Sequence, residues 1–396
     1  MRKSSLFYLC GLVAAITVGV YSCKKSNGID NNNVVKTPYS LFFSDTAGAL
    51  YVTNDGRTYS GFLFPPDGKS CRALAVSSNN ILWGKTHLYY SNNNGRNFNL
   101  TYDTVSSFPE LSCNGSELNT NQSMLINIPE WNNRVYTLSN SPNASRNWLG
   151  IIYSDANGNP RSWNMEGSYD TMGVGRLPVR MKSFTMLANG TLCGLAYSGP
   201  ADNDMIHHRN FVKAGKDENV YANRWKEVTA NPDGIPYIHS GNPGGTPLPP
   251  FGSALTDTAY WYLGHFNNRL IAIDGKCKYG AYYSDDLGAN WKSYSSGLPA
   301  NTSMLCIESP FEEVCLLGTS GKGLYILNIH TGVWEPNNKG LGSNLIVRSI
   351  IGKRNVYKNG TIRKFIYIAT NQGIYESADG GRNWTKTIQG NFVAVY

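Results

Sequence analysis

Charge is scarce in this chain. Asp, Glu, Lys and Arg together make 16% of its 396 residues, against about a quarter in an average soluble domain. That scarcity excludes an acidic or basic tail and a charge-laced helical rod. No C-x-x-C spacing occurs, and only His207 and His208 among six histidines are adjacent, so a structural zinc site has no framework and no metal or other cofactor is expected. The basic excess of eight is not gathered into one run, which argues against nucleic acid as a partner. Beyond the N-terminus there is no run of apolar residues long enough for a spanning helix. What remains is 41% hydrophobic and 12% aromatic, with 41 Gly and 25 Tyr. Such a mixture can bury a large core and favours many short strands joined by tight turns, an all-β fold.

Arg2 and Lys3 precede an apolar run over residues 6–20, followed by Tyr21, Ser22 and Cys23. A basic start and an h-region of this length make a secretory signal rather than a membrane span. The end of the run resembles a bacterial lipoprotein signal, with Val20 and Ser22 in place and Tyr21 bulkier than the usual occupant. The resemblance implies cleavage after residue 22, acylation of Cys23 and a place in the cell envelope. The outer membrane is the expected site, with the side of display open. Residues 23–38, with Asn31, Asn32 and Asn33 and no hydrophobic pattern, then read as a flexible tether, and 39–396 as a single domain. Loss of Arg2 and Lys3 lowers the formal charge from +8 to +6.

Six cysteines lie in the folded part: Cys71, Cys113, Cys193, Cys277, Cys306 and Cys315. An exported protein permits disulfides. Cys306 and Cys315 are symmetric about residues 309–312, which places them opposite each other on a hairpin, as a bridge or as two packed thiols.

A repeat organises the domain. Ser284, Asp286, Gly288 and Trp291 read S-x-D-x-G-x-x-W, and Ser377, Asp379, Gly381 and Trp384 repeat it. Ser91 to Phe98 carries Asn93 for the acid, residues 154–163 carry an insertion, and weaker copies end at Tyr59 and Trp334. This pattern resembles the Asp-box (BNR) repeat of sialidase-type β-propellers. Gly suits the positive-φ position of the turn, the Asp or Asn side chain accepts its N–H groups, and the Trp packs between neighbouring sheets. Around each box a four-strand unit recurs, a to d from inside outward. The last unit reads 346–351, 365–370, 374–377 and 384–388, and earlier ones start near 72, 123, 179, 259 and 303. The chain opens with strands b, c and d alone (41–44, 49–53, 59–64) and ends with a lone strand at 392–396. Pairing these leftovers gives a seven-bladed β-propeller of four-stranded antiparallel blades, closed by its C-terminal strand.

In such a fold the a–b and c–d turns share one face and the b–c and d–a connections the other. Three long d–a connections, 102–121, 164–178 and 230–256, make the second face the expected binding surface. His207, His208 and Arg209 fall in the b–c connection of the fourth blade in this reading. Arg72, Arg180 and Arg348 precede the apolar part of strand a in three units. Guanidiniums there would favour a carboxylate, and the sialidase resemblance implies an arginine triad. The family's Arg-Ile-Pro motif is absent ahead of the first box; the nearest text is Arg176, Leu177 and Pro178 in mid-chain. Hydrolysis would need two carboxyls about 5.5 Å or 6.5–9.5 Å apart, with Asp170, Asp257 and Glu110 the candidates. Tyr169, Tyr237 and Trp261 offer aromatic faces to a sugar. The expectation is therefore a lipid-anchored module binding a glycan or an exported protein. A glycoside hydrolase and an envelope assembly factor are the alternatives.

Overall fold

The computed structural model describes residues 41–53, 60–63, 73–77, 80–84, 88–93, 97–102, 108–111, 117–122, 125–128, 134–140, 149–154, 163–165, 180–189, 191–198, 203–210, 226–227, 261–275, 277, 279–288, 290–357 and 359–396. Their regular structure is all β: thirty strands form seven four-stranded sheets and one two-stranded hairpin. The first sheet holds β1 (Leu41–Asp45), β2 (Leu50–Thr53), β3 (Ser60–Leu63) and, beside β1, β30 (Phe392–Val395). The second comprises β4 (Ala73–Ser77), β5 (Asn80–Gly84), β6 (Leu88–Ser91) and β7 (Asn99–Tyr102). Strands β8 (Phe108–Leu111) and β9 (Glu117–Gln122) make the separate hairpin. The third sheet runs β10 (Leu125–Ile128), β11 (Arg134–Asn140), β12 (Leu149–Ser154), β13 (Trp163–Met165). The fourth runs β14 (Arg180–Met186), β15 (Thr191–Ser198), β16 (Asn203–Asn210), β17 (Lys226–Glu227). In the fifth are β18 (Trp261–Phe266), β19 (Arg269–Asp274), β20 (Ala281–Ser284) and β21 (Lys292–Ser293). The sixth contains β22 (Met304–Phe311), β23 (Val314–Thr319), β24 (Leu324–Asn328) and β25 (Val333–Pro336). The seventh contains β26 (Val347–Val356), β27 (Ile362–Thr370), β28 (Gly373–Ser377) and β29 (Thr385–Ile388).

Strand b of the best-covered units is apolar on both faces. All six residues of β23 are buried, as are five of six in β19. A strand reads this way when sheets cover it on both sides. The cores lie accordingly between consecutive sheets. One joins Ile271, Ile273 and Ala281 of the fifth sheet to Met304, Ile307 and Leu317 of the sixth. Another joins Phe311 and Leu316 to Val347, Ile366 and Ile368 of the seventh. A third sets Phe42, Leu50 and Val393 against Ile81 and Trp83 of the second.

The C-terminal strand pairs antiparallel with the first, Phe43 opposite Val395 and Ser44 opposite Ala394. Serine hydroxyls tie β14 to β18, β18 to β22 and β26 to β30. Leu263 N donates to Ser183 Oγ (2.9 Å), Ser309 Oγ donates to His265 O (2.8 Å), and Ser349 Oγ lies 3.3 Å from both N and O of Val395. A second tie follows strand d. Trp334 N donates to Ser296 O and Trp384 N to Lys339 O, both at 2.9 Å. Gly297 and Gly340 come next in the chain, at φ +85° and +89°. A Cβ at either would sit about 2 Å from the Trp carbonyl, so the close approach demands glycine.

Ser40–Lys353 and Lys364–Tyr396 form one compact unit, and the turn Arg354–Arg363 falls outside it. Within that turn Tyr357 N donates to Thr361 O and Gly360 N to Tyr357 O, both at 2.9 Å.

Three sequence expectations are corrected. Cys306 and Cys315, expected opposite each other as a bridge or as two thiols, are free thiols and do not face each other: the β22–β23 turn is Glu312-Glu313, which sets Cys306 opposite Gly318. His207 and His208 lie inside β16, opposite Gly194 and Cys193, instead of in a connection. Residues 102–121, read as a plain long connection, contain the β8–β9 hairpin. Cys277 is disulfide-bonded.

Candidate functional site

The box turns explain themselves atom by atom. Ser284 Oγ donates to Asp286 Oδ1 (2.7 Å) and accepts from Gly288 N (2.7 Å). Asp286 then accepts from Asn290 N (2.9 Å) and Asn290 Nδ2 (2.7 Å). Ser377 repeats the pattern with Asp379 Oδ1 (2.8 Å) and Gly381 N (2.9 Å), and Asp379 accepts from the N–H groups of Arg382 and Asn383 at 3.0 Å. In the second sheet Asn93 stands in: Ser91 Oγ donates to its Oδ1 (2.9 Å), which accepts from Asn97 N (3.1 Å). Desolvation opposes ionisation of Asp379, but the Asn383, Ser377 and Arg382 hydrogen bonds prevail and hold its pKa at about 2. Asp286 is lowered in the same balance. An acid held this firmly ionised by its own turn is unsuited to donate protons to a substrate. These carboxylates build hairpins.

Arg348 is 6% exposed. Its Nη1 donates to Asn391 Oδ1 (2.9 Å) and Phe392 O (3.1 Å), binding β26 to the start of β30. Trp261 is 3% exposed, packs with Leu187 and Cys193 of the fourth sheet, and meets Tyr282 edge-on at 5.7 Å. Neither offers the open face that the sequence reading gave it. Arg180 begins β14 opposite Tyr197, and Glu110 lies in β8 opposite Leu118. With Ser183 and Ser349 aligned through their matching ties, Lys182 takes the position of Arg348 and Arg180 falls two residues earlier. Arg72, Tyr169, Asp170, Tyr237, Asp257 and the lipidation candidate Cys23 lie outside the described residues.

The structure brings forward a row of polar side chains that sequence reading passed over. Thr185 on β14, His265 on β18, Glu308 on β22 and Lys353 on β26 lie in the second half of the first strand of their sheets. Thr185 Oγ1 and His265 Nδ1 are 3.1 Å apart. Desolvation lowers the pKa of His265 to about 4 and that of Lys353 to about 8, and raises that of Glu308 to about 7. Solvent still reaches Glu308. Lys353 Nζ lies 4.9 Å from the Tyr396 ring centre, within cation–π range. The overlooked signal was an ionisable residue in the second half of strand a in three consecutive units: His265, Glu308 and Lys353. Among the described residues no group of three His, Cys, Asp or Glu side chains is placed to hold a metal ion.

No protein-family model and no curated protein matches the chain. Solved structures do. One described as YCF48 from Cyanidioschyzon merolae is 11% identical, covers 84% of this chain and 90% of its own, and superimposes with a TM-score of 0.47. A Lactobacillus plantarum protein is 9% identical over 90% of this chain and 98% of its own, at 0.47. The GH74 xyloglucanase from Xanthomonas campestris is 14% identical over 87% of this chain, at 0.41. The chain covers 58% of that enzyme.

Proposed function

We propose that the seven sheets are the blades of an Asp-box β-propeller closed by β30. In this reading acylated Cys23 holds it to the outer membrane of the cell envelope, and it acts as a binding or scaffold module. Its ligand is a glycan or an exported protein taken on the d–a face, where Arg72, Arg180, Tyr169 and Tyr237 are the residues to test. The observation that carries binding over sialidase-type hydrolysis is Arg348. A triad arginine must present its guanidinium to a substrate carboxylate, whereas Arg348 spends donors on Asn391 and Phe392. The repeated Ser–Asp–Gly turn bonds and the β30–β1 ladder support the propeller frame.

A glycan array run beside a fluorogenic screen of sialosides and common glycosides tests the reading. Array binding without turnover is the expected result. Hydrolysis lost on Asp170→Asn or Arg180→Ala would replace it with glycoside hydrolysis. A blank in both, with specific capture of one envelope protein, would replace the glycan with a protein partner.

A further inference from the structure

We propose that the turn Arg354–Arg363 docks on anionic phospholipid headgroups of the bilayer that carries the chain, seating Ile362 at the acyl boundary. Strand β26 is ten residues long and β27 nine, while the corresponding β18 and β19 are six each. Residues 359–363 of the turn are exposed. Over 353–364 the sequence holds Lys353, Arg354, Lys358, Arg363 and Lys364 and no acid. Lys358 lies outside the described residues. Lys353 is crowded by protein beside the Tyr396 ring, whereas Arg354 and the pair at 363–364 are separated in sequence and the hairpin puts them on its two arms. Lys364 is partly neutralised by Glu313, 2.5 Å away, and Glu312, next to Glu313 in the chain, is exposed. Arg354 and Arg363 are exposed within the turn itself.

Ile362 selects the occupant. It is 56% exposed and adjoins Arg363, so an apolar side chain and a cation are presented together. A bilayer interface accepts both, the acyl boundary taking the one and phosphate the other. Chain entry points the same way. The described fold begins at Leu41, the first residue of β1, a strand b. Strand b starts at the a–b end of its sheet, which is also the end from which the 354–363 turn departs. An anchor at Cys23, joined to the fold at this end, would keep the end beside the membrane. The orientation rests on the proposed anchored propeller; the charge and the exposed Ile362 do not.

Hydroxyl-radical footprinting tests the inference. The full chain is mixed with phosphatidylcholine vesicles, or with vesicles that also contain phosphatidylglycerol, and Ile362 oxidation is read by peptide mass spectrometry. Each basic residue near an anionic surface strengthens binding by about fivefold. Oxidation of Ile362 should fall on the anionic vesicles alone, and the double variant Arg354→Glu/Arg363→Glu should abolish that protection. Equal oxidation on both compositions overturns the proposal. So does equal protection by soluble polyglutamate, which would make the partner an acidic polypeptide. Pelleting with neutral vesicles reads the anchor separately, so failure of the anchor and failure of the hairpin remain distinguishable.

Discussion

Arg348 illustrates how a residue that reads as a ligand grip can belong to the frame. Its guanidinium is nearly buried and tied to a side chain and a carbonyl of another sheet. Hydrogen bonds from charged groups contribute about 1.5–3 kcal/mol each, and a stranded acceptor adds its own cost. Arg348→Ala should therefore lower unfolding free energy by about 2–4 kcal/mol in urea titration, while the folded fraction keeps its ligand affinity. Unchanged stability with lost binding would return Arg348 to the ligand site. His265 supplies a pH-dependent counterpart. Its folded value near 4 lies below the ordinary 6.5, so on acidification the unfolded chain takes up the proton first. Stability should fall between pH 6.5 and 4, by at most about 3 kcal/mol, and His265→Asn should flatten that limb. Thr185 on β14 and Ser309 on β22 are the polar side chains hydrogen-bonded to His265 from the neighbouring strands. Glu308 has the opposite sign: held up to about 7, it favours the folded state below pH 4.5 and loses that contribution as pH rises to 7. Glu308→Gln should remove this second limb and leave the first.

At the scale of the element, the box turn is legible in sequence because its hydrogen bonds admit few substitutes. The hydroxyl of Ser377 must both donate to Asp379 and accept from Gly381 N, a pair of roles that few side chains of that length can fill. Asp379→Ala removes the acceptor of two turn N–H groups and should cost about 1–2 kcal/mol. Because Asp379 is exposed, its charge adds little, and Asp379→Asn should recover most of the loss, as Asn93 already does in its own turn. Thermal unfolding of the two variants checks the difference. Strand placement is readable where strand b is apolar on both faces and a clear box marks the c–d turn; β16 and the β8–β9 hairpin, which carry neither signal, read as connections. The register is not. The turn falls at Glu312-Glu313, two residues later than symmetry about 309–312 requires, and so Cys306 meets Gly318 instead of Cys315; bulges shift the ladder further, following backbone geometry that residue types do not encode uniquely. The Thr185–His265 contact escapes a sequence reading because the two residues lie 80 positions apart and meet only when their sheets pack.

At the scale of the molecule, the chain's two ends depend on each other. Without β30, strand β1 would keep β2 but lose its second antiparallel partner, leaving unpaired backbone groups along an apolar edge. Phe392, Val393, Ala394 and Val395 are all buried, and Phe392 packs edge-on against Phe43 at 5.1 Å. Their loss would also strand Arg348 and Ser349, whose bonds reach Phe392 and Val395. Burial of these apolar side chains is worth about 1.5–3 kcal/mol for each large one, comparable in sum with the whole stability of an ordinary domain. A chain ending at Asn391 should therefore fail to unfold cooperatively and should associate through its open edge in size-exclusion chromatography. Adding a synthetic peptide of residues 392–396 should restore the monomer in proportion to its occupancy. A truncated chain that stays monomeric, with an unchanged melting transition, would show that the first sheet stands without its last strand and would remove the basis for closure.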